Sequence, residues 1–272
     1  MKQDTDYPHS LQQEQQTASS GVQSVGRALD LLEVFPKHGP ELGLTKIAGL
    51  LNLNKATAYR LLATLEGRGY VERAIEGRKY RLGVRAFELG LYFQSQLEVR
   101  KLALPSMQDM VDQTGEAAFL CIREGDEAVC IERVEAEQQV NIFSLRVGGR
   151  QPLHCGAAPR ALLTGMDEDQ IAAYAAWTGL PASTPETITT LEGLLKDVKQ
   201  TRARGFVVSM NDVVNGIAAV GGPVYDHSGS VTASISLSGL SIRYDPQRIS
   251  ELASIVVATA KRISRQLGYQ DK

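Results

Sequence analysis

Between Lys55 and Arg60 the sequence reads KATAYR, and its residue types suit the edges of base pairs. Guanidinium and ammonium donors at Arg60 and Lys55 match acceptor atoms in the major groove. Thr57 and Tyr59 add hydroxyl groups, and the small Ala56 allows close approach. Arg78 and Lys79 follow in a basic turn beside two short apolar runs, where cations meet phosphates or the minor groove. A second group lies further on, in LHCGAAPR. His154 beside Cys155 invites a nucleophile reading, because a thiolate needs a base or a helix start to lower its pKa. Neighbours on an extended segment point to opposite sides, however. No GxSxG, phosphate loop or metal-ligand spacing accompanies them. No catalytic residue, cofactor or metal is therefore expected. Gly156, Ala157 and Ala158 precede Pro159, a residue suited to a first helical turn, so backbone N–H groups there are expected to be free for an anion. In SISLSG, Ser236 and Ser238 share one face of a strand, either towards a ligand or bonded within the sheet.

These residues need elements to hold them. Val25, Ala28, Leu29 and Leu32 recur at helical spacing, and Thr45–Leu51 forms a second short helical pattern after the breakers Gly39, Pro40 and Gly43. Asn54 suits an N-cap, and a third helix from Lys55 turns Ala58, Leu61, Leu62 and Leu65 inward and Ala56, Tyr59, Arg60 and Ala63 outward. It stops at Gly67–Gly69. The strands YVERA and KYRLG follow, joined by IEGR with Gly77 placed for positive φ. Three helices and a hairpin over 21–83 make a winged helix-turn-helix. The same pattern also builds protein-interaction modules with a merely solvated charged face.

Charge favours the nucleic-acid reading. From Gly21 to Arg85 there are 11 Lys and Arg against 6 Asp and Glu, a balance of +5, which leaves −7 for the rest of a chain whose net charge is −2. A basic module on an acidic chain is an electrostatic footprint for a polyanion. The length of 272 residues, 43% hydrophobic and 22% charged, fits two domains after a polar, Gln- and Ser-rich tail over 1–20. The tail lacks an apolar signal region and no run of about 18 apolar residues occurs, so a cytoplasmic protein is expected. Cys121, Cys130 and Cys155 are odd in number and widely spaced, which argues for reduced, buried thiols over disulfides or zinc.

Val84 to Arg100 is apolar around too much of a helical circumference for a free surface helix, which places a linker and subunit seam at 84–104, with Phe87, Leu91 and Tyr92 on the seam. Packing on the chain's own C-terminal domain is the alternative. From 105 to 272, strand patterns at EAAFLCIRE, EAVCIERVE, QVNIFSLRV, GFVVS, GIAAVGGPVYD and VTASISLSG alternate with helices at 159–164, 168–176, 191–204 and the C-terminus. This is an α+β domain with a mainly antiparallel sheet.

SVGRALDLLEVF, LTKIAGLLNLNKATAYRLLATLEGRGYVER and YRLG resemble the DNA-binding domain of IclR-type bacterial transcriptional regulators, and VGGRQPLHCGAAPRALL, TRARGFVVS and SISLSG resemble their effector-binding domain. The resemblance spans nearly all of 22–269. It implies a profilin-like, GAF-like effector domain, a double-stranded DNA operator as partner, and dimers often paired into tetramers. The implied DNA contacts are Arg27, Lys55, Ala56, Thr57, Tyr59, Arg60, Arg78 and Lys79. The implied effector set is Val140, Phe143, Gly156, Ala157, Ala158, Ser209, Ile217, Ala219, Ser236 and Ser238. Two departures stand out. Ala56 replaces a hydroxyl residue at the start of the recognition helix. Ser209 stands where some members have an acid, so a less charged pocket for a small organic acid is expected. The runner-up reading is a ligand-binding or protein-interaction module without DNA binding.

Overall fold

The computed structural model describes residues 22–75, 77–135 and 145–270. The chain divides into two compact units, up to Phe93 and from Gln94. The first contains helices α1 (Gln23–His38), α2 (Leu44–Leu50) and α3 (Lys55–Gly67) with strands β1 (Leu42–Gly43), β2 (Val71–Arg73) and β3 (Lys79–Leu82). The expected hairpin is the β2–β3 pair. β1, absent from the sequence reading, adds to the other edge of β3, with Leu42 opposite Tyr80. Two residues are too few to show a period, which is why β1 was invisible.

Leu31, Val34, Phe35, Ile47, Leu62, Val71 and Tyr80 form the core of this unit. Burying side chains of this size stabilises by at most about 1.5–3 kcal/mol each. α1 corrects the expected face: Val25 and Leu29 are exposed, and the buried residues are Leu31, Val34 and Phe35 in its C-terminal half. The helix starts before the core does, so its first turns have nothing to pack on within this unit. Gly83 ends β3 where a Cβ would stand 2.3 Å from the Gly69 carbonyl oxygen, so no side chain fits.

The pattern expected as one helix to Arg100 is two. α4 (Val84–Gln96) buries none of its residues and exposes Phe87, Leu89, Leu91, Tyr92 and Phe93. Leu97 is extended, and α5 (Glu98–Thr114) then runs through Pro105.

The second unit carries β4 (Ala117–Glu124), β5 (Glu127–Val134), β6 (Arg150–Pro152), α6 (Ala157–Leu162), α7 (Glu168–Thr178), α8 (Leu191–Arg204), β7 (Val207–Met210), β8 (Ile217–Tyr225), β9 (Val231–Leu240) and α9 (Pro246–Gln266). The sheet order is β6-β5-β4-β9-β8-β7, with every neighbouring pair antiparallel. Period-two alternation splits its residues between two cores. Ala118, Leu120, Val220, Ile235 and Leu237 meet α5 and α9 through Met107, Met110, Leu252, Val256 and Ile263. Ala117, Phe119, Cys121 and Cys130 meet the helices of the other face through Leu162, Leu163, Ile171 and Leu194. Capping fixes the helix starts: Asp167 and Gln170 form a reciprocal box, Thr190 accepts from the Gly193 amide, and Asp245 accepts from the Arg248 amide.

Candidate functional site

In the first unit the Asn54 side chain accepts the Thr57 amide at 2.8 Å, which fixes the start of α3 at Lys55. Ala58 and Leu62 are buried by that phase, while Lys55, Ala56, Tyr59 and Arg60 are exposed and Thr57 is half-buried. Arg27 is half-buried on α1, and Arg78 and Lys79 are exposed at the hairpin. Charge partners separate two kinds of cation. Arg73 pairs with Glu66 at 3.3 Å, Arg81 with Glu72 at 2.7 Å and Arg85 with Glu88 at 2.8 Å. Among the described residues, Lys55, Arg60, Arg78 and Lys79 join no ion pair. Cations without a carboxylate keep their full charge for phosphate, and each contact formed releases a counterion. Ile75, at the hairpin turn, stands almost wholly exposed; only its place between a strand and a turn could have marked it.

In the second unit a cavity of about 50 Å³ lies between α6 and the sheet. Gly156, Ala157, Ala158, Ser209, Ile217, Ala219, Ser236 and Ser238 all line it, with Phe119, Leu145, Gln151, Pro159, Asp212 and Val213. Val140 and Phe143, with most of the strand expected at 139–147, lie outside the described residues. Register brings the rest together. Ser236 stands opposite Phe119 and Gly221, Ser238 opposite Ala117 and Ala219, and Ala219 opposite Ser209. Gly221 lets α6 sit on the sheet, since a Cβ there would be 2.9 Å from the Ala157 backbone.

The electrostatics correct two expectations. The pocket is not short of charge, because Asp212, three residues beyond Ser209, is buried on its wall. Asn211 adopts φ +58, which turns the chain back so that Asp212 faces the cavity. Thr184 and Thr187 hold that turn by donating to the Asn211 and Asp212 carbonyls at 2.7 Å each. Nor is the start of α6 wholly free: the Gly156 amide donates to the Asp212 carboxylate at 3.2 Å. That carboxylate also accepts the Ser209 hydroxyl and lies 3.2 Å from Arg160. Arg160, itself buried, reaches Asp197 at 2.8 Å and donates to the Val208 carbonyl at 2.6 Å. Contacts this long-range leave no period in a sequence. Of the two serines expected on one face, Ser238 donates to the Ala218 carbonyl at 3.0 Å. Ser236, 3% exposed, has no hydrogen-bond partner for its hydroxyl among the described residues.

His154 and Cys155 make no dyad. The His154 ring is sealed, with Nε2 3.0 Å from the Pro181 carbonyl and Nδ1 2.7 Å from the Tyr174 hydroxyl. Nε2–H therefore donates to the carbonyl and Nδ1 accepts from Tyr174. Cys155 faces Ser183 at 3.8 Å instead, and burial pushes its thiol above the ordinary value, away from a reactive thiolate. Cys121 and Cys130 are free and buried opposite each other on β4 and β5. No group of His, Cys, Asp or Glu side chains able to hold a metal ion occurs among the described residues, and no helix among them is long and apolar enough to cross a membrane.

Comparison with known proteins gives this geometry a setting. The family model described as bacterial transcriptional regulator IclR C-terminal matches residues 92–265, and the IclR helix-turn-helix domain matches 24–74. The transcriptional regulator KipR of Bacillus subtilis is 33% identical over 246 residues, 90% of this chain and 97% of its own length. The transcriptional repressor AllR of Escherichia coli is 32% identical over 258 residues, 95% of each chain. Among solved structures, a regulator from Alicyclobacillus acidocaldarius superposes with a TM-score of 0.81 at 27% identity, covering 91% of this chain and all of that one. A homologue from Microbacterium hydrocarbonoxydans, solved with 4-hydroxybenzoate, gives 0.79 at 25% identity over 90% of this chain and 98% of that one.

Proposed function

This chain belongs to the IclR family of bacterial transcriptional regulators, DNA-binding proteins with an effector-binding C-terminal domain, and we propose that a small organic acid in the cavity beneath α6 modulates its hold on an operator. The observation that carries this reading is the Ser236 hydroxyl, which is open to the cavity and has no partner among the described residues. Such a group can bond to whatever fills the cavity, water or a ligand. The amides of Ala157 and Ala158 at the start of α6 are the donors for the acid group. The acid bound by the Microbacterium relative supports the class.

On the DNA side, α3 offers Lys55, Ala56, Thr57, Tyr59 and Arg60 to the major groove, and Arg27, Arg78 and Lys79 take phosphates. Two such heads read a two-fold operator if the exposed apolar residues of α4 pair between subunits, with residues 84–104 as linker and dimers joining into tetramers. Fluorescence titration of the full chain with DNA from the region upstream of its own gene, with and without a panel of small acids and their neutral amides, tests the reading. A shift in operator affinity produced by an acid and not by its amide supports it. Amides as effective as the acids, or no effect of any compound, overturn it.

A further inference from the structure

The donor and acceptor pattern of the cavity says more than that an acid enters it. Two hydroxyls on its wall have already committed their protons: Ser209 to the Asp212 carboxylate, Ser238 to the Ala218 carbonyl. A hydroxyl has one proton and two lone pairs, so both now face the cavity as acceptors only, beside a carboxylate that can do nothing but accept. Asp212 gains no surplus of positive charge from Arg160, because that guanidinium also serves Asp197, and with Arg204, which acts on Asp197 as well, the four groups balance. Among the described lining residues, the Ser236 hydroxyl and the Gln151 amide are the side-chain groups with protons left to offer.

We propose that Asp212, acting through Ser209, makes this wall an acceptor surface that selects effectors bearing a hydroxyl or N–H beside their acid group, and rejects those presenting a keto oxygen or a second carboxylate. This rests on the effector pocket proposed above and names its ligand class: small monocarboxylic acids with a hydrogen-bond donor. A donor there satisfies the Ser209 and Ser238 oxygens. A bare acceptor at that position meets lone pairs and gains no hydrogen bond from Ser209 or Ser238. Ser209 is the contact and Asp212 the positioning residue that fixes which way the hydroxyl proton points.

Calorimetric titration of the full chain with two matched sets tests this: lactate, pyruvate and malonate, then 4-hydroxybenzoate, 4-methoxybenzoate and terephthalate. In at least one set the hydroxyl compound binds about tenfold or more tightly than both of its matched partners. Asp212→Asn, whose amide can donate to the Ser209 oxygen and release the serine proton, brings that ratio to about one or reverses it, with thermal melting as the check on folding. Loss of the preference in both sets, with pyruvate or malonate binding as tightly as lactate and a ring analogue as tightly as 4-hydroxybenzoate, overturns the inference while leaving an acid pocket in place. An unchanged ratio in a folded Asp212→Asn protein overturns it as well. If the variant does not fold, the wild-type ratios alone decide. Failure of every compound to bind defeats the organic-acid reading itself, and this inference with it.

Discussion

Arg160 Nη1 lies 2.8 Å from Asp197 Oδ1, with 5% and 13% of the two side chains exposed. Arg160 also lies 3.2 Å from Asp212 and holds the start of α6 through the Gly156 carbonyl at 3.3 Å. Breaking a buried pair by removing one partner leaves an uncompensated charge, and Arg160→Met leaves two. The expected cost is about 3–5 kcal/mol, read as a lower urea midpoint at unchanged slope. A loss below about 1 kcal/mol contradicts the role given to this network.

Arg60 and Lys79 are expected to differ in kind. If Arg60 reads a base edge, Arg60→Ala costs about 1 to 3 kcal/mol on the operator and relaxes preference at one position. Lys79→Ala weakens binding to all sequences and reduces the salt slope by about 1. Titrations on operator and random DNA at several salt concentrations separate them. Equal losses on both DNAs for Arg60→Ala remove the base contact.

Tyr174 carries the pH prediction. Burial pushes its hydroxyl up to about 12, while the His154 backbone bond works in the opposite direction. The folded state therefore holds this proton after the unfolded chain, at about 10, has released it. Stability from this group is complete below pH 10 and falls between about 10 and 12. Tyr174→Phe flattens that alkaline fall. It also leaves His154 Nδ1 and the His154 amide without their partner, at a cost of about 1–3 kcal/mol at neutral pH. Denaturant titrations of both proteins from pH 7 to 12 measure the two effects; parallel curves show that Tyr174 is not the titrating group.

Leu91 tests the subunit seam. It is exposed on α4 with Phe87 and Tyr92, and Leu91→Asp sets an unpaired charge into the proposed contact at a cost of several kcal/mol. Light scattering is expected to show dissociation at micromolar concentration, with operator affinity lost although each head stays folded. An unchanged mass takes the seam away from this face.

What the sequence disclosed follows the range of the interactions involved. α3 was legible because its signals are local: an Asn cap, a 3.6-residue apolar period and a glycine stop. The strands of the second unit were legible because two buried faces impose a period of two, and eight of the expected pocket residues surround one cavity. The phase of α1 was misread because Val25 and Leu29 are apolar without being covered. Asp212 was missed altogether. It reaches the pocket through an αL turn at Asn211 and through Thr187, Arg160 and Gly156, partners 25 to 56 positions away, and nothing in VSMNDVV announces either.

The bond from Arg160 to the Val208 carbonyl reaches beyond the pocket. β7 is the last strand of its sheet, and an open sheet edge is a template on which another chain can add a strand. The buried guanidinium fills the hydrogen-bonding position at the Val208 carbonyl, so the group that pairs with Asp212 and Asp197 also occupies one acceptor of that edge. Loss of Arg160 is therefore expected to free that acceptor in the same molecules whose ligand site has come apart, and light scattering on Arg160→Met checks whether they self-associate.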